Sequence, residues 1–191
     1  MEKISFTDAF KYPFRRPKRL LYALWVLIPV IGWLALFGYT IRITNEFIEG
    51  KYEGLPQLYF VKDLKFGFWM LLKSIPFYIV YCIPIVLAAI YNENAGDILN
   101  LLLSFFVLPV LTINFYRKQT VESFFEFSKL KYVISNLGDY LFVMIEQYAL
   151  IIVFFILILF LVGIPALYFA SMIFTANFYG RVVERKTDQA T

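Results

Sequence analysis

The 191-residue chain contains no histidine and a single cysteine. Without histidine there is no His-based acid/base pair, no Ser-His-Asp triad and no imidazole metal ligand. One cysteine excludes an internal disulfide and Cys-clustered zinc or iron–sulfur sites. Cys82, inside an apolar run, reads as a small packed hydrophobe. No Gly-rich phosphate loop follows a strand pattern. The reading is therefore of a non-enzyme, with no catalytic residue, metal or cofactor expected. Charge is scarce as well: 17% of residues are charged against 61% hydrophobic. A soluble domain of this size needs a charged shell, which that balance does not supply. Nucleic-acid binding needs a solvated basic face, so the net charge of +4 is assigned to membrane flanks that attract anionic lipid headgroups. No cleavable signal peptide is expected, because the first apolar run leads into Phe37-Gly38-Tyr39-Thr40 rather than a small-x-small site.

What charge there is follows a pattern. All 18 Lys and Arg fall into four blocks: Lys3 to Arg19, Arg42 to Lys73, Arg117 to Lys131 and Arg181 to Lys186. Between them lie apolar stretches broken at Pro29–Gly32, Asn92–Asp97 and Gly163–Pro165, and no break holds a basic residue. If each break is a turn on the far side, each stretch crosses and returns, and every cation stays cytoplasmic. This predicts an all-α integral membrane bundle of one domain, 1–191, with five or six embedded helices as three hairpins and amphipathic interfacial helices. Both termini are then cytoplasmic.

The first interfacial helix is expected to start at Ser5, capped with Asp8, and to carry Phe6, Ala9, Phe10 and Phe14 on one face. Leu20 to Pro29 forms a short apolar limb whose rise, over about 12 residues, is about 18 Å against about 30 Å of hydrocarbon, so it thins the bilayer or dips in re-entrantly, and Gly32 to Thr44 returns. The rival is one unbroken helix from Lys18 to Glu49, kinked at Pro29. Leu58 to Lys73 is read as interfacial, with Val61, Leu64, Phe68 and Leu71 on one face, continuous with a crossing through Pro76 and Pro84. Asn94 or Asp97 is expected to cap the return from Ile98. Val121 to Val133 is expected on the surface, and Leu137 to Val162 is the longest apolar run, capped by Asn136 or Asp139.

Thr112-Ile113-Asn114-Phe115-Tyr116-Arg117 matches Thr175-Ala176-Asn177-Phe178-Tyr179-Gly180-Arg181 with one inserted Gly, and Thr44-Asn45-Glu46-Phe47 holds the equivalent place earlier. That suggests a threefold internal repeat over 5–50, 58–118 and 119–181.

Intramembrane polar residues are the place to look for function. Glu146 is the leading candidate, partnered by Arg42 or Lys73. Asn100, Ser104 and Thr112 share one broad face and read as interhelical hydrogen bonds or as a polar path. Asn114 and Asn177 either cap carbonyls or bind lipid phosphate. Gly38-Tyr39-x-x-Arg42, Ile48-x-Gly50 and Leu55-Pro56 read architecturally: a close helix approach, an interface anchor, a helix stop and an extended turn.

These same residues, with Phe6-Thr7-Asp8-Ala9-Phe10-Lys11-Tyr12-Pro13, Asp63 to Gly67, Tyr81 to Pro84 and Asn136 to Leu141, resemble an uncharacterised prokaryotic membrane-protein family called domain of unknown function 4013. The resemblance implies a multi-pass inner-membrane protein and carries no activity. The function expected is a structural, accessory or lipid-interacting membrane protein; the alternative is a small transporter or channel with a polar path near Glu146 and Asn100. Its partners would be the bilayer, anionic headgroups, and a membrane protein or a second copy.

Overall fold

The computed structural model describes residues 1–188, so the last three residues of the expected domain lie outside it. The chain is 83% helix, with no strand among the described residues. Two compact units form, one from Met1–Trp69 together with the chain from Asn136 onward, the other from Met70–Ser135.

The first unit opens with α1 (Phe6–Lys11), where Ser5 Oγ accepts from the Asp8 N–H at 3.1 Å as the capping pattern predicts. The apolar face of α1 is not bare. Ala9 is fully buried, Phe6 stacks on Phe174, and Phe10 stacks on Phe154 at 5.7 Å, so this face packs on protein rather than lying on a bilayer surface. Pro17 opens α2 (Pro17–Leu20), which tightens into a 3₁₀ segment over Leu21–Leu27. The chain then reverses at Ile28 to Val30 and returns as α3 (Ile31–Ile48). Trp33 Nε1 donates to the Val26 carbonyl at 2.8 Å, and Gly32 lies against the Trp25 carbonyl. Residues 18–49 thus double back instead of forming one kinked helix.

At its far end α3 stops in a Schellman motif: Gly50 has φ +76°, its N–H reaches the Phe47 carbonyl, and Lys51 N–H reaches Glu46. An extended connection leads to α4 (Phe60–Tyr91), which runs through Pro76 and Pro84 without a break in its helical assignment. Its buried positions are Asp63, Gly67, Met70, Ser74 and Phe77, a 3–4 spacing. Val61, Phe68 and Leu71 are exposed on the opposite side.

In the second unit, α5 (Glu93–Leu102) is capped by Asn92, which accepts from the Ala95 N–H, in place of the expected Asn94 or Asp97. A π turn over Leu103–Val107 precedes α6 (Leu108–Lys118). Pro109 lies in the first turn of α6, and its missing N–H explains the widened turn before it. The stretch from Val121 forms two 3₁₀ turns and a short α7 (Leu130–Ser135) instead of one surface helix. Phe124 is sandwiched between Phe77 at 4.2 Å and Phe115 at 4.1 Å.

Back in the first unit, α8 (Leu137–Ile156) continues as a 3₁₀ turn to Phe160. The chain bends at Leu161 into α9 (Gly163–Ala170) and α10 (Ile173–Phe178), followed by a π turn over Tyr179–Glu184 and α11 (Arg185–Asp188). Arg181 pairs with Asp139 at 3.0 Å, and Lys186 donates to Asn136 Oδ1, so the basic tail lies beside the start of α8.

Three helices have the length and apolarity to cross a bilayer: Phe60–Tyr91, Glu93–Lys118 and Leu137–Phe160. At 1.5 Å per residue the shortest, with 24 residues, reaches about 36 Å, against about 30 Å of hydrocarbon. The other limbs do not qualify alone. The 18 residues of α3 are interrupted by Thr40, Arg42, Thr44 and Asn45, and α9 has only eight. Among the described residues, three helices are thus candidate spans by length and composition.

Candidate functional site

The motif residues of α3 meet the first turns of α4. A Cβ on Gly38 would overlap the Asp63 carbonyl, and one on Gly67 would overlap the Leu34 carbonyl. Each obstructing carbonyl belongs to the residue four before the other helix's glycine, so the crossing is reciprocal, with each glycine's hydrogen facing a carbonyl. One turn beyond, Arg42 Nε and Nη2 grip Asp63 Oδ1 and Oδ2 at 2.6 and 2.8 Å. Asp63 is 2% exposed in its side chain and also accepts from the Tyr59 N–H at 2.8 Å, closing the first turn of α4. Arg42 thus pairs with Asp63, where sequence placed it beside Glu146. Sequence names Asp63 only within the Asp63 to Gly67 stretch and not as a site residue, though its spacing of four from Gly67 mirrors that of Gly38 and Arg42.

The connection between α3 and α4 has no ladder to satisfy its carbonyls, and arginines do it instead. Tyr52 O accepts from Arg15, Leu55 O from Arg16 and Arg19, Pro56 O from the Tyr39 hydroxyl at 2.8 Å, and Gln57 O from Arg42 at 2.8 Å. Leu55 itself is fully buried. The Gly38, Tyr39, Arg42, Gly50, Leu55, Pro56 set is one structural unit: a tight crossing, a helix stop, and donors for an extended strap.

Asn177 is 1% exposed, and its Nδ2 donates to the Glu2 carbonyl at 3.0 Å and the Tyr52 hydroxyl at 2.7 Å. Its Oδ1 accepts from Arg181 Nε at 2.9 Å, and Arg181 continues to Asp139. Burial pushes the Tyr52 phenol up to about 12 despite the Asn177 bond. Glu146 pairs with Lys3 at 3.1 Å, and Lys3 also lies 3.7 Å over the Phe142 ring. Gln147, one residue on, bridges the helix break before α10 by donating to Ala170 O and accepting from Phe174 N–H. Sequence singled out Glu146 for its charge. Gln147 is the more buried of the two, at 4%.

In the second unit, Lys73 donates to the Gln119 carbonyl at 2.8 Å and not to a carboxylate. Asn114 is fully buried and donates to Ser123 O at 2.6 Å. Ser104 Oγ turns back to Leu101 O, and Asn100 is exposed, accepting from the Tyr81 hydroxyl at 3.4 Å. Thr112 is 4% exposed, so the three polar residues share no common surface. Burial, opposed by Glu126, pushes the Lys129 ammonium down from its ordinary value.

A cleft of about 600 Å³ in the first unit is of another kind. Leu21, Leu24 and Leu27 form one wall, Leu161, Ile164 and Pro165 another, and no lining side chain is charged. A smaller cavity of about 150 Å³ lies behind it, against Leu36, Ile158 and Leu167. Chemically, the polar groups named above are held in internal bonds, while these two cavities are hydrocarbon-like. No family model, curated protein or solved structure matches the chain.

Proposed function

We propose that this is a multi-pass membrane protein with a structural, accessory or lipid-interacting role and no catalytic activity. The observation that carries this reading is the division just described. Arg42, Glu146, Gln147, Asn114 and Asn177, polar residues within or near the apolar helices, all bond to other parts of the chain, and the two cavities described above are apolar. A transporter for a polar solute needs the reverse. The resemblance to the uncharacterised membrane family fits this reading and adds no activity to it.

For topology, α4, the α5–α6 stretch and α8 would cross fully. The limb over 17–27 with α3, and α9 with α10, would enter as shorter arms, which restores the three-hairpin plan with both termini cytoplasmic. Two features of the first unit support it. Arg181 and Lys186 return to the start of α8, and the bend at Leu161 shares a cleft with Leu24 and Leu27 near the first bend. Cations at the helix starts and none at the bends then satisfy the positive-inside rule.

Alkaline-phosphatase and fluorescent-protein fusions after Glu53, Asn94 and Ile164 test the scheme. Fluorescence from the Glu53 fusion and phosphatase activity from the other two are expected. Phosphatase activity after Glu53 overturns the first hairpin, and a protein released from membranes by carbonate overturns the membrane reading altogether. Glu146→Gln separates the classes, leaving a scaffold at normal level and location but abolishing flux in a transporter.

A further inference from the structure

The 3₁₀ segment Leu21–Leu27 is seven residues long, more than such helices usually reach. With three residues per turn it sets Leu21, Leu24 and Leu27 in line at steps of about 6 Å. These side chains are 62%, 58% and 75% exposed and form one wall of the 600 Å³ cleft. In the α-helical turn before it, Lys18 is exposed and has no hydrogen-bond or ion-pair partner among the described residues. Pro17, beside it, lines the cleft, and Arg16 and Arg19 flank them, both donating to the Leu55 carbonyl. A cation therefore stands next to Pro17 in the chain, while the lining itself is wholly apolar.

That combination fits a molecule anionic at one end and hydrocarbon for the rest. We propose that the cleft holds an acyl chain of an anionic glycerophospholipid whose phosphate lies at Lys18. The inference rests on the membrane reading above and specifies the lipid class and the residues that select it. Neutral lipid would fill the apolar part equally well and gain nothing from Lys18, so headgroup charge is the discriminating variable.

The test uses the full-length protein, purified in mild detergent, exposed to vesicles of equal phosphatidylglycerol and phosphatidylcholine, and read by native mass spectrometry. Retained phosphatidylglycerol should exceed phosphatidylcholine by about fivefold, the effect of one surface Lys. Lys18→Glu should abolish that preference. Leu24→Trp should fill the cleft and lower retention of both lipids, whereas Leu159→Trp, at an 84% exposed position outside the lining, should change neither. All three sites are exposed, and matching thermal melts would show that the variants fold. Equal retention by the unaltered protein, an undiminished preference in Lys18→Glu, or full retention in Leu24→Trp each overturns the proposal. A dimer without lipid that Leu24→Trp disperses would assign the cleft to a second copy and overturn it too. Flotation after carbonate extraction tells the failures apart: a protein that floats but fails these assays loses only the lipid site, and one that does not float loses the membrane reading as well.

Discussion

Asn114 and Asn177 stand at matching places in two similar stretches, yet they close very different distances along the chain. Asn114 donates to Ser123 O, nine residues on, and fastens a local turn. Asn177 donates to Glu2 O and the Tyr52 hydroxyl, 175 and 125 residues away, and fastens the N-terminal segment and the strap after α3. The shared element is a buried amide offered to a backbone carbonyl. Which carbonyl arrives depends on topology. The inserted Gly180 marks a second difference. It lies in the π turn Tyr179–Glu184, where a Cβ would overlap the Ile48 carbonyl. The extra residue sets Arg181 four positions from Asn177, within reach of both its Oδ1 and Asp139, whereas Arg117 follows Asn114 by three.

The sharpest way to break this contrast is Phe124→Ala, which removes the centre of a three-ring stack in the second unit and should cost about 4 kcal/mol. Hydrogen exchange should report lost protection around Phe115 and little change around Asn177. Gly180→Val does the opposite. It forces a side chain onto the Ile48 backbone and should destabilise the first unit by about 3 kcal/mol, read as a lowered melting temperature and faster exchange at the end of α3. Next come the asparagines themselves. Asn177→Leu leaves Glu2 O, the Tyr52 hydroxyl and the Arg181 guanidinium short of a partner, so it should cost more than Asn114→Leu, about 3 against about 2 kcal/mol by thermal melting.

The smallest effect belongs to Glu46, whose carboxyl burial pushes upward against the pull of Arg42. A carboxyl with a raised folded pKa favours the protonated folded state. Its contribution is therefore complete below the ordinary carboxylate range and lost as pH rises through the folded value. Glu46→Gln should raise the melting temperature at neutral pH, and the gain should vanish in acid.

Much of the helical layout was legible because it is local. The Ser5–Asp8 cap needs only a spacing of three, Gly50 only a helix end, and the reversal near Pro29 only a short apolar limb between basic blocks. The candidate site was legible in its residue types and not in its pairings. Arg42 finds Asp63 across 21 residues, and Glu146 finds Lys3 from the far N-terminal segment. Neither distance leaves a periodic trace. The 3₁₀ form of Leu21–Leu27 was equally hidden, since seven apolar residues have no polar face to reveal whether the turn holds 3.0 or 3.6 residues. Asp63 and Gly67 were legible only as part of a familiar pattern, until the crossing gave them a reason.

The tip of the first reversal has a consequence of its own. Val30 adopts φ +65° and ψ −68°, the centre of a γ-turn closed by the Ile31 N–H on the Pro29 carbonyl at 2.8 Å, which a β-branched residue tolerates poorly, at an expense of about 1–3 kcal/mol. Glycine would enter that conformation without strain. Here the turn's own hydrogen bond is reinforced from its flanks, by Trp33 on Val26 and by Gly32 under Trp25. Relaxing the hinge with glycine should tighten the protein rather than loosen it.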